Sequence, residues 1–266
     1  MTFEFQMASR LRRVYLISFV WCVLASGNRA RAGSEDFTNE LARAQIAANH
    51  GDVAAAVTIY GTARRAGWSN CASLCVLARR YCDLMYLTNP VPARKDLLAR
   101  ALDCSLQAVT VDPSNGLAHA CAAVCYAKEC GFADLKAQLN FARLFKAESE
   151  QAIALDPKQD IAYYLLGRWN YELANVGLLS RAYVKVIYGG LPRASNAAAI
   201  ANFKKAVELA PDRIMNHSGL AMVYATTGQT DLEVAELKKC LATKPLNLED
   251  RDSQVDAAKK LAALGR

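Results

Sequence analysis

An all-α fold, an α-solenoid of stacked helical hairpins, is what this sequence predicts, and three observations carry it. Alanine fills 48 of the 266 positions. It loses no side-chain entropy in a helix, whereas β-branched residues do. Helix endings of one texture recur along the chain, each closed by a proline, which cannot continue a helix. A second helical pattern then follows three of those prolines. The composition argues against β-sandwiches, collagen-like chains and bulk disorder, and the length is ample for a real core.

Residues 1–32 read as an address. MTFEFQMASRLRR is basic, Val14 to Ala25 is apolar except at Ser18, and Ala30-Arg31-Ala32 offers a small-x-small cleavage site before Gly33. This is the pattern of a secretory signal. The apolar run is shorter than the ~20 residues that span a bilayer. The expectation is therefore a secreted or periplasmic protein beginning near Gly33. An organelle transit peptide or an N-terminal membrane anchor are the alternatives. The leader holds five Arg and one Glu, so it supplies more than half of the net charge of +7. The remainder over residues 33–266 is too small for a nucleic-acid footprint, and no DNA or RNA partner is expected.

The repeats organise residues 33–266. A first unit has Gly51 in its turn and Ala56, Tyr60 and Ala63 on one helical face. A second pairs Asn70–Leu87 with Pro92–Thr110 across the link Thr88-Asn-Pro-Val-Pro. Then come four similar endings, at Pro113, Pro157, Pro211 and Pro245. Each has a small residue five positions earlier: Ala108, Ala152, Ala206 and Cys240. Such a residue lets a neighbouring helix approach closely. The helices that follow carry Ala122-Ala123, Leu166-Gly167 and Leu220-Ala221. Pro211 and Pro245 are 34 residues apart, the period of tetratricopeptide helix–turn–helix units. The interval from Pro113 to Pro157 is 44 residues and that from Pro157 to Pro211 is 54. The larger excess lies near 175–194, between helices Asp160–Ala174 and Ser195–Leu209, in an apolar and basic insert broken by Gly189-Gly190 and Pro192. Leu248–Leu264 reads as a capping helix. About five helical pairs result.

Asp156-Pro-Lys-Gln-Asp-Ile-Ala-Tyr-Tyr-Leu-Leu-Gly-Arg-Trp-Asn-Tyr-Glu-Leu-Ala174 resembles the regulator of microtubule dynamics protein family. In that family a Leu-Gly-Arg-Trp segment precedes an extended insert and then a helix like Ala199–Pro211. The resemblance runs from roughly Ala93 to Leu264. It implies a tetratricopeptide-like solenoid that binds or tethers, in a family whose animal members are associated with microtubules, mitochondria and membrane contacts. An exported chain would not meet microtubules, so the leader counts against a microtubule partner.

No HExxH, GxSxG, P-loop or GxGxxG pattern is present, so no enzyme activity, metal or cofactor is expected. His119 and His217 each follow a repeat-ending proline by six residues, a packing position. Eight cysteines follow the leader, at 71, 75, 82, 104, 121, 125, 130 and 240. They read mainly as small core residues, with a bridge from Cys82 to Cys121 or Cys125 left open.

Binding is the expected function. The first helix of each pair lines the concave face, which projection populates with Cys75, Arg79, Cys82, Val124, Tyr164, Arg168, Tyr171, Met215 and Met222. Arg79, Tyr164, Arg168, Tyr171, Met215 and Met222 are the candidate binding residues. An apolar strip with isolated arginines suits a protein or peptide segment, because Arg grips carboxylates bidentately. A lipid chain over Met215 and Met222, or a structural assembly role, are the alternatives.

Overall fold

The computed structural model describes residues 34–65, 68–245 and 248–265. The leader lies outside them. Twelve α-helices are described: α1 (Ser34–Asn49), α2 (Val53–Arg65), α3 (Cys71–Leu84), α4 (Val91–Val111), α5 (Gly116–Glu129), α6 (Leu135–Leu155), α7 (Asp160–Ala174), α8 (Leu178–Tyr188), α9 (Asn196–Leu209), α10 (Ile214–Thr226), α11 (Thr230–Ala242) and α12 (Leu248–Ala263). No strand occurs among the described residues. No described helix is long and apolar enough to cross a membrane.

Local chemistry starts and stops these helices. Asn70, Asn115, Asp134 and Ser195 cap α3, α5, α6 and α9, each accepting backbone N–H groups that the first turn leaves without partners. Pro113, Pro157 and Pro211 each follow the residue that closes α4, α6 or α9. The small residues five positions before the repeat-ending prolines, Ala108, Ala152, Ala206 and Cys240, are all fully buried.

The helices pack as pairs, α1 with α2, α3 with α4, α5 with α6, α7 with α9 across the inserted α8, and α10 with α11. The first helices also touch their counterparts in the next pair, α3 against α5, α5 against α7 and α7 against α10, which builds one continuous inner layer. The layers approach closely because the facing residues are small. A Cβ added at Gly167 would stand 2.8 Å from the Phe203 ring, and one at Gly219 would stand 2.5 Å from it. Phe203 of α9 is thus held between α7 and α10 and is completely buried. At the C-terminal end, Gln254 of α12 donates from Nε2 to the carbonyls of Cys240 (2.9 Å) and Thr243 (2.8 Å). This satisfies acceptors that the end of α11 leaves open.

The histidines do more than fill space. His119 Nδ1 lies 2.6 Å from Glu148 of α6 and its Nε2 lies 3.0 Å from the Pro113 carbonyl. His217 repeats the arrangement with Glu236 of α11 at 2.6 Å and the Pro211 carbonyl at 2.7 Å. Each ring ties the loop before its own helix to the second helix of the pair. All eight described cysteines are free and buried, so their role as small core residues holds and no bridge is formed.

Candidate functional site

Helix α7 places Tyr164, Arg168 and Tyr171 at i, i+4 and i+7, which puts the three on one face. Helix α10 does the same with Met215, Met222 and Thr226. These stripes form the seam between two first helices of the inner layer. Arg168 Nη1 reaches Met222 Sδ at 3.2 Å, and Tyr171 Oη shares a 3.0 Å hydrogen bond with Thr226 Oγ1. Arg168 Nη2 pairs with Glu172 at 2.8 Å, with the two side chains only 13% and 16% exposed. Burial acts to lower the Arg168 pKa, but Glu172, Tyr164 and Tyr171 outweigh it, and the guanidinium stays charged.

The candidates divide by position. Tyr164 and Met215 are buried, and the Tyr164 ring packs edge-on against Phe203 at 5.5 Å between centroids. They belong to the packing of the layer rather than to a surface that a ligand could reach, which corrects their expected binding role. Arg168, Tyr171 and Met222 are half-buried and come together. The same seam is closed at Tyr164 and open at the Tyr171–Thr226 bond. Thr226 was not among the expected residues, although it stands one helical turn beyond Met222.

Arg79 lies elsewhere in the layer, at a cleft between α3 and α5 lined by Ala78, Cys82, Cys121, Val124 and Cys125. Burial pulls its guanidinium down to about 10, with Asp83 opposing and Arg213 adding to the effect. Within this interface the Cys121 thiol donates to the Cys75 backbone carbonyl at 3.9 Å. Cys75, Cys82 and Val124, expected on the concave face, are buried in the helix contact instead. Arg213 pairs with Asp160 at 3.0 Å, so a second cation stands beside the seam. No cluster of His, Cys, Asp or Glu suited to a metal occurs among the described residues.

Known proteins of similar sequence and fold agree with this architecture. A thermophilic TPR protein of Thermus thermophilus superposes with a TM-score of 0.58 at 20% identity, over 84% of this chain and 99% of its own. Human regulator of microtubule dynamics protein 2 is 29% identical over 198 residues, which are 71% of this chain and 46% of that protein. The mouse regulator of microtubule dynamics protein 1 is 28% identical over 190 residues, 71% of this chain and 62% of its own. The chain therefore spans about half the length of the type 2 relatives. Because these relatives are named as regulators of microtubule dynamics, the expectation against a microtubule partner finds no support in them. The family described as regulator of microtubule dynamics protein 1-3 matches residues 41–265, and this chain belongs to it.

Proposed function

We propose that the chain is a non-catalytic helical-repeat scaffold that holds a segment of a partner protein across its inner layer. The observation that carries this reading is the open end of the α7–α10 seam. There Tyr171 and Met222 offer apolar surface beside Arg168, a cation already desolvated and oriented by Glu172. A bound segment with a flat apolar side chain and a nearby polar or acidic group would match this surface without reorganising it. The proposal includes export, with the mature chain starting at Gly33; the mass of the exported protein tests this. Because the relatives are named for microtubule dynamics, tubulin co-sedimentation tests whether that role extends to this chain.

The direct test compares Arg168→Ala and Tyr171→Ala for melting temperature and for crosslinking to a partner from a photoreactive group at Met222. The expected outcome is lost crosslinking with melting within a few degrees of the parent. Early melting of both variants, with crosslinking reduced only in proportion to the folded fraction, would return these residues to the scaffold. Lipid carried through purification and released by solvent extraction would support an apolar ligand instead.

A further inference from the structure

Helix α8 is built inside out. Its one buried side chain is Val184. Arg181 is turned inward too, where its guanidinium donates to the carbonyls of Leu173 and Ala174 at the end of α7. Apart from the half-buried Tyr188, the other apolar side chains face away from the protein. Leu178 is 85% exposed, Val186 82%, Leu179 71% and Ile187 53%, and the first three are the most exposed large apolar side chains among the described residues. With Ala182 and Tyr183 they occupy positions i, i+1, i+4, i+5, i+8 and i+9, one continuous face. No other described helix packs along α8. Gly189, at φ +80, ends it in the left-handed conformation. Folding alone gives no reason to aim such a face at water.

Charge says what covers it. From residue 173 to 207 the sequence carries no acidic residue. Arg181 is bound to the end of α7 and Lys205 to Glu208, which leaves Lys185 and Arg193 as the exposed cations on α8 and just after it. Two copies meeting through α8 would bring these cations together, so self-pairing is opposed by like charge. A partner peptide would need a groove, and α8 stands without a second wall. Its length of roughly 16 Å gives an apolar strip far smaller than a stable protein interface requires. A protruding apolar face with cations on its flank matches one surface well, the interfacial zone of an anionic bilayer. We infer that α8 is a peripheral docking element that lies in the headgroup region of a negatively charged membrane, with Leu178, Leu179, Val186 and Ile187 entering the acyl boundary.

The inference is independent of the seam between α7 and α10. Its test uses the full chain with vesicles of phosphatidylglycerol and phosphatidylcholine in equal parts, and with phosphatidylcholine alone. The parent should sediment with the anionic vesicles and at least tenfold less with the neutral ones. Joint Leu179→Glu and Val186→Glu substitution, at two exposed positions, should reduce sedimentation at least tenfold while the helical melting curve is unchanged. A Tyr183→Trp variant should show blue-shifted emission on the anionic vesicles and quenching by brominated lipid. Equal sedimentation of parent and double variant would assign any membrane affinity to the N-terminal apolar run and overturn the role of α8. Absence of binding by the parent would overturn it as well. So would a parent dimer, seen by light scattering, that the double variant dissolves without any effect on vesicles.

Discussion

At the scale of single residues, the two histidine brackets show how polar groups are accommodated in an alanine-rich interior. Glu236 faces His217, with its carboxylate only 10% exposed, and also accepts from Lys239 at 2.9 Å. Burial alone would raise the carboxyl, but the bonds from His217 and Lys239 prevail and hold it below the ordinary carboxylate range. A depressed folded value contributes stability above the unfolded value near ~4.3, and that contribution is lost as the pH falls through the folded value. Glu236→Gln should therefore melt earlier than the parent near neutral pH, at a cost of about 1–3 kcal/mol. The gap should close as the pH drops below about 4. Melting curves in a pH series check it; a gap that persists undiminished in acid would show that the carboxylate charge is not what matters. The sequence showed the histidines six residues after their prolines but not their partners. Glu148 is 29 residues beyond His119 and Glu236 is 19 beyond His217, and unequal spacings leave no period to read.

At the scale of helices, packing distance is decided by what is missing from the contact. Gly167→Leu would drive a branched side chain into the Phe203 ring, where even a Cβ stands at 2.8 Å. Both Phe203 and the α7 backbone are enclosed, so the clash has no cheap outlet. The expected loss is about 2–4 kcal/mol, read by urea unfolding with an unchanged m-value. Unaltered stability would mean that α9 can retreat from α7. The helices themselves were legible, because proline endings and small residues obey short-range rules that one sequence states directly. Which aromatic of α7 reaches a surface was less so. Helical projection puts Tyr164 and Tyr171 on the same face, and only the position of α9, which buries Tyr164 against Phe203, separates them. The direction of α8 was illegible for the same reason: its pattern is amphipathic, and amphipathicity alone does not say which side faces the core.

At the scale of the whole molecule, the apolar interior falls into two parts. One runs from Ala44 through Tyr224, and a smaller one joins Ile214, Ala221, Leu237, Cys240, Ala257 and Leu261 across α10, α11 and α12. In a repeat array stability is the sum of local terms and neighbour contacts, so the smaller part should open first. Hydrogen exchange should show α11 and α12 losing protection well before α3 to α6. Removal of residues 248–266 should speed exchange in α11 and leave α3 to α5 unchanged. Uniform exchange across all twelve helices would instead indicate a single cooperative unit. Phe203 also constrains how this sequence can drift. One ring fills the space left by two glycines on two different repeats, so neither glycine can gain a side chain while the ring stays whole. A smaller residue at 203 would have to come first, leaving a cavity that an alanine at 167 or 219 could then occupy. The substitutions are acceptable in one order and not in the other, and two neighbouring repeats share a single mutational history.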